Sequence, residues 1–200
     1  IIIVGVAVYM IYEDNKSNSE NTENQTTAQT NQTITDLRME IVSYDTINPL
    51  ISNNRNVQEI TKLVFEPLLQ LDENYKLQPC LATEWAKSGD TSYILKLRSN
   101  VKWQDGTSFT AQDVKYTIET LKQINSIYSY NVQHIASVDI IDNYSIRINL
   151  DTIIPFFEYN LIFPIVSSTY FAGQDIQNTD KNATPIGTGM YKIESNSTST

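Results

Sequence analysis

The sequence predicts a mixed α/β fold of the α+β kind, and three observations within Leu81 to Val114 predict it. Tyr93, Leu95 and Leu97 alternate with Ile94, Lys96 and Arg98, the period-two pattern of a strand with one buried face. Asp105-Gly106 is a turn dipeptide, since glycine accepts positive φ and aspartate can hydrogen-bond the turn backbone. Thr110 then opens a helix. Its hydroxyl can cap the Asp113 amide while the Asp113 carboxylate reaches back, and Ala111, Val114, Ile118 and Leu121 follow at helical spacing. Trp85 and Trp103 stand at the two ends of the strand region. With Asp105 and Gly106 they read as residues that shape and fill a small α+β unit. The segment just before the strand, from Leu81, reads as helix or turn.

The other elements follow in chain order. Residues 1–12, IIIVGVAVYMIY, are apolar but short of the roughly 20 residues that span a bilayer. They are expected to be a truncated transmembrane anchor. Residues 13–35 are rich in Asn, Thr, Gln, Ser and Glu with almost nothing apolar. Such a segment cannot offset its ordering entropy by burial and reads as a disordered polar linker. Arg38 to Tyr44 alternates as a strand, and Asn48-Pro49 bends the chain into a polar loop, Ser52 to Asn56. Val57, Ile60, Leu63 and Val64 form an apolar helical stripe that Pro67 should end. Leu68 to Leu71 is a short strand with Asp72-Glu73-Asn74 as its turn. Ile124 to His134 is irregular and holds Tyr128 and Tyr130 close together. Ile153 to Ser168 is apolar, with Pro155 and Pro164 bracketing a short helix. Glu158 at its centre argues for a core segment over a bilayer one. No internal repeat is present.

Composition narrows the function. The formal net charge is -9, with no basic stripe, which argues against nucleic-acid partners. Cys80 is the one cysteine, so no internal disulfide can form; beside Pro79 it reads as a packed small residue. His134 is the one histidine, and neither HExxH nor CxxC spacing exists, so no metal site is expected. No GxSxG elbow accompanies that histidine for a nucleophilic triad. Gly187-Thr188-Gly189 lacks the lysine and following helix of a phosphate loop and reads as a tight lead into a strand. No catalytic residue and no cofactor are expected. A binding protein needs instead a cleft lined by aromatic faces and backbone groups.

Four segments in order carry a resemblance: Leu63 to Trp85, Leu81 to Val114, Ser137 to Leu150 with Asp142-Asn143 as a hairpin turn, and Pro185 to Ser195, PIGTGMYKIES. Together, over Asp36 to Ser195, they resemble the extracellular solute-binding proteins of family 5, the oligopeptide, dipeptide and nickel receptors of ABC importers. The resemblance implies a periplasmic-binding-protein-like type II fold, with the second lobe absent from this chain. Residues 36–69 and 184–200 would belong to the first lobe's sheet domain, and 70–183 to an α+β subdomain inserted in it. It implies a monomeric receptor held at the membrane of a Gram-positive-type bacterium, with its binding domain on the extracellular face. Such a receptor would capture peptides between two lobes and deliver them to the permease subunits. The loop holding Asn53, Asn54 and Arg55 would pair with ligand through its main chain, and Tyr128 or Tyr130 would lie against it. A nickel complex or an oligosaccharide is the alternative solute, and an extracellular hydrolase the remaining class.

Overall fold

A computed structural model describes residues 5–12, 36–41 and 44–199. The linker expected over 13–35 lies outside the described residues. The strands are β1 (Gly5–Tyr12), β2 (Asp36–Ile41), β3 (Leu69–Leu71), β4 (Leu77–Pro79), β5 (Ala82–Lys87), β6 (Ser92–Leu97), β7 (Ile135–Asp142), β8 (Ser145–Leu150) and β9 (Tyr191–Ser199). The α-helices are α1 (Arg55–Thr61), α2 (Ala111–Leu121) and α3 (Ser129–Val132), and two 3₁₀ turns cover Phe157–Asn160 and Asp180–Ala183. The strands form three antiparallel sheets, in the orders β2-β1-β9, β3-β4 and β5-β6-β8-β7.

The four-stranded sheet is the part the alternation announced. Tyr93, Leu95 and Leu97 of β6 are buried, as are Ile146, Ile148 and Leu150 of β8. They join Ala111, Val114, Ile118 and Leu121 of α2 in one core. Burying such side chains contributes about 1.5–3 kcal/mol each. Ala82–Lys87, read from sequence as helix or turn, is the edge strand β5, with Trp85 opposite Leu95. Pairing with β6 supplies the backbone partners that its weakly patterned sequence did not advertise.

The start of α2 is organised by one buried carboxylate. Asp113 accepts from the Thr110 amide at 2.8 Å and from the Trp103 indole at 3.3 Å on one oxygen. Its other oxygen accepts the Ser168 amide at 2.8 Å and hydroxyl at 2.7 Å. A buried carboxylate is tolerated only with such compensation. Trp103 itself is 2% exposed and packs edge-on to Phe109. Gly106, at φ +86°, makes the turn between them, in the backbone region that glycine supplies.

The chain returns at residues 187–191. Gly189 donates to the Val64 carbonyl at 2.8 Å and Tyr191 to that of Leu63 at 3.2 Å. Gln104 accepts from the Gly187 amide at 2.9 Å and donates to the Tyr191 carbonyl at 2.6 Å. A Cβ on Gly187 would sit 1.8 Å from the Val64 carbonyl oxygen, so only glycine fits. The glycines therefore permit close backbone approach, in keeping with the structural reading of this motif.

Residues 5–12 lie in β1, hydrogen-bonded between β2 and β9. Among the described residues no helix is long and apolar enough to cross a membrane. The helical stripe from Val57 stops earlier than Pro67 implied. α1 ends at Thr61, and the amides of Val64 and Phe65 turn back onto the Thr61 carbonyl at 3.0 and 2.8 Å.

Candidate ligand site

The loop ahead of α1 is tied down by polar side chains of its own. Asp45 accepts from the Ser52 hydroxyl at 2.6 Å and the Thr46 amide at 2.8 Å on one oxygen. Its other oxygen accepts from the Asn53 amide at 2.7 Å. Partial burial pushes the Asp45 carboxyl up, but the hydrogen bonds from Ser52, Asn53 and Thr46 outweigh it and hold its pKa below the usual value. Asn48, fully buried, accepts from the Leu50 amide at 3.0 Å and donates to Asn182 at 2.8 Å. The loop is thereby fixed to the segment before β9.

These bonds decide what the predicted loop residues can offer. The Asn53 amide is spent on Asp45, and the Asn54 amide on the Ser52 hydroxyl at 3.1 Å. The Asn54 side chain is the N-cap of α1, accepting from the Asn56 and Val57 amides at 2.9 and 3.4 Å, a role asparagine favours. Arg55 opens α1 and is exposed, as is the Asn53 side chain. Main-chain donors of Asn53 and Asn54 are therefore engaged within the chain, as is the Asn54 side chain, while the Asn53 side chain sits at the loop surface.

Beside the loop lies a cavity of about 350 Å³. It is lined by Gln58, Thr61 and Lys62 from α1 and its C-terminal turn, by Phe65, Pro67 and residues 69–71, and by Tyr128, Ile162 and Pro164. Two of the lining segments are hydrogen-bonded to each other: Leu69 donates to the Leu161 carbonyl at 3.0 Å and Ile165 to that of Glu66 at 3.1 Å. Most of the lining is apolar. Lys62 carries the cation, paired at 2.8 Å with Glu59 on the exposed face of α1.

Tyr128 is half-buried in this lining and its hydroxyl donates to Gln58 Oε1 at 2.8 Å. Burial, with the nearby Glu59 charge, pushes its phenol up to about 12. Tyr130 stands 74% exposed and is not part of the lining. The two tyrosines, equivalent candidates in the sequence, are thus separated. Tyr128 precedes the first residue of α3 and Tyr130 lies within it. Two positions along a helix turn a side chain by about 200°, so one faces in and the other out. Asp45 and Gln58 were not singled out from sequence. An isolated aspartate and an in-helix glutamine carry no motif that would have found them.

The other predicted absences concern chemistry. Among the described residues no group of three or more His, Cys, Asp or Glu is placed to hold a metal. His134 lies 3.1 Å from Asp151 at the surface. Cys80 is partly buried beside Glu66, 3.6 Å away, and its thiol is pushed up to about 12 by burial and then by the Glu66 charge. That suits a packing role better than a reactive one.

The family model for bacterial extracellular solute-binding proteins, family 5 Middle, matches residues 76–200. The chain belongs to that family. A glutathione-binding protein, GsiB of Shigella boydii serotype 4 (strain Sb227), is 29% identical over 155 residues, 76% of this chain and 30% of the relative. The chain thus spans 30% of the length of that curated relative. NikZ of Campylobacter jejuni, solved in complex with Ni(L-His), superposes with a TM-score of 0.68 at 34% identity, covering 75% of this chain and 31% of NikZ. The ABC transporter substrate-binding protein CtaP of Listeria monocytogenes superposes with a TM-score of 0.66 at 29% identity, covering 75% of this chain and 32% of CtaP. The mixed α/β architecture is therefore the periplasmic-binding-protein-like fold of family 5, whose members are solute-binding receptors.

Proposed function

We propose that this chain forms the first lobe of an extracellular ABC-importer receptor that captures peptides and delivers them to a membrane permease, without covalent chemistry. The observation that carries the reading is the joining of two separate parts of the chain at one cavity: α1 with its C-terminal turn, through Gln58, Thr61 and Lys62, and Tyr128 at the start of α3; Asn53, Asn54 and Arg55 are not among the lining residues. An aromatic face and an apolar pocket hold varied side chains, while loop carbonyls and side chains orient the backbone. In this reading residues 36–69 and 184–200 are the lobe's sheet domain and 70–183 its inserted subdomain. A second lobe, from polypeptide beyond these residues, would close over the ligand. Closure follows because a ligand touching both lobes favours the closed population. Tyr128 is the ligand-facing residue we favour. Asn53, Asn54, Arg55 and Tyr130 would act at the rim. The receptor works as a monomer and needs no cofactor.

A nickel complex is the second reading, favoured by the likeness to NikZ. The cavity lining contains no carboxylate, thiol or imidazole, so such a ligand would have to arrive as a finished chelate. Calorimetry on the complete polypeptide decides between them, with di- to hexapeptides, glutathione, Ni(L-His) and an oligosaccharide as ligands. Heat from peptides alone is expected; heat from the nickel chelate or the sugar alone overturns the peptide reading. Membrane tethering through residues 1–12 belongs to the same proposal, with pairing of β1 as its competitor. Retention of the protein in carbonate-washed membranes supports the tether, and release into the soluble fraction overturns it.

A further inference from the structure

Gln58 is a buried polar residue whose hydrogen bonds can be assigned without ambiguity. Its amide faces the Pro49 carbonyl at 2.9 Å and the Ser52 carbonyl at 2.8 Å. Carbonyl oxygens only accept, so the amide atom facing them is nitrogen, and both of its hydrogens are engaged. The remaining atom is the amide oxygen, 2.8 Å from Tyr128 Oη. That oxygen can only accept, so the hydroxyl hydrogen of Tyr128 points at Gln58. With its pKa raised to about 12, the phenol keeps this hydrogen at physiological pH.

Two consequences follow for anything bound in the cavity. As a lining residue Tyr128 can offer its ring and an oxygen lone pair, and it has no hydrogen left to give. Pro49 and Ser52 are held at a fixed distance from Tyr128 through one side chain, although Gln58 and Tyr128 are 70 positions apart in sequence. We propose that Gln58 is the positioning residue of this cavity, setting the loop before α1 against Tyr128 and committing that tyrosine to accept a hydrogen bond from a ligand N–H. The proposal rests on the receptor reading above for its ligand, and on geometry alone for the positioning. A ligand that brings an amide N–H or an ammonium to the tyrosine is favoured over one that brings a carboxylate there.

The test uses the complete polypeptide and four variants: Gln58→Met, Gln58→Glu, Tyr128→Phe and the double variant Gln58→Met with Tyr128→Phe. Methionine matches glutamine in length and makes none of the three bonds; glutamate keeps the shape but cannot donate to two carbonyls. Without any ligand, amide hydrogen exchange of residues 50–54 should quicken about tenfold in both Gln58 variants, as when one hydrogen-bond's worth of local stability is lost. Amides of α2 should not change, which separates loop release from general loosening. Unchanged loop exchange in either folded Gln58 variant overturns the positioning role whether or not a ligand is known.

With a peptide that binds the unaltered protein, Gln58→Met and Tyr128→Phe should each weaken binding about tenfold. The double variant should be no worse than the worse single one, because both break the same link. A hundredfold, multiplicative loss in the double variant overturns the coupling. If loop exchange responds but no peptide binds the unaltered protein, the peptide reading falls and the positioning role stands.

Discussion

At the start of α2 a buried carboxylate, Asp113, gathers Trp103, Thr110 and Ser168; ahead of α1 an exposed one, Asp45, gathers Thr46, Ser52 and Asn53. Both knots use the same chemistry, one carboxyl group accepting from several donors. They differ in what surrounds them. Asp113 sits at 2% exposure beneath Trp103 and Phe109, so loosening it opens the core. Asp45 is at the surface, so loosening it frees a loop and little else. The difference teaches where a fold places stability and where it places adaptable parts: the same carboxylate knot locks a core in one place and ties down a surface loop in the other.

The sharpest way to break this comparison is at the buried knot. Trp103→Ala should destabilise the fold by about 3–5 kcal/mol, the cost of removing a buried aromatic, measured by denaturant unfolding. Ligand affinity of the folded fraction should barely move; lost binding with stability intact would place Trp103 in the site. Asp113→Asn keeps the size but turns an amide donor toward a backbone N–H, that of Thr110 or of Ser168, which can only donate. We expect a loss of about 2–3 kcal/mol, against no measurable global loss for Asp45→Asn. Equal losses at the two knots would erase the distinction.

Smaller effects sharpen it at the loop side. Tyr128→Ala should weaken ligand binding by about 1–2 kcal/mol through lost aromatic contact, whereas Tyr130→Ala, which removes an exposed ring, should cost less than half of that. A larger loss at Tyr130 would move the site outward. Asn54→Ala should cost about 1 kcal/mol of stability by uncapping α1. The smallest effect is one of pH. The Asp45 carboxyl is held below its usual value of 3.8. Its contribution to the loop is therefore fully present above that value and lost as pH falls through the lower folded one. Protection of the amides of residues 50–54, taken relative to intrinsic exchange at each pH, should fall on acidification in the unaltered protein. Asp45→Asn should lack this response.

Much of the buried knot was legible because its signals are local. Alternation over 93–98, the Asp-Gly turn and the Thr110–Asp113 spacing each lie within a few residues, and each is the same physics in a peptide as in the fold. The hairpin of β7 and β8 was expected only through the family resemblance, with Asp142-Asn143 as its turn. The strand β5 was not legible, since its identity comes from pairing with β6 and its own pattern is mostly exposed. Of the residues singled out from sequence, Tyr128 lines the candidate cavity, and Asn53, Asn54, Arg55 and Tyr130 do not. Sequence pointed to a loop and two tyrosines but could not tell Tyr128 from Tyr130, which differ by a helix rotation. It also could not find Gln58, whose three partners lie on both sides of it at separations no motif encodes.

The return of the chain at residues 187–191 bears on the order in which this fold assembles. Gly189 and Tyr191 fasten directly onto the carbonyls that end the α1 turn, and Gln104 grips the same segment from the middle of the chain. Everything between Leu63 and Gly189 is thus a single long excursion clasped at its neck. Closing a neck across so long an excursion carries its entropy cost up front, while the local hairpins and α2 inside it need no such closure. The hairpins and α2 should accordingly form first, and the clasp should fasten late, onto a partner surface that is already built.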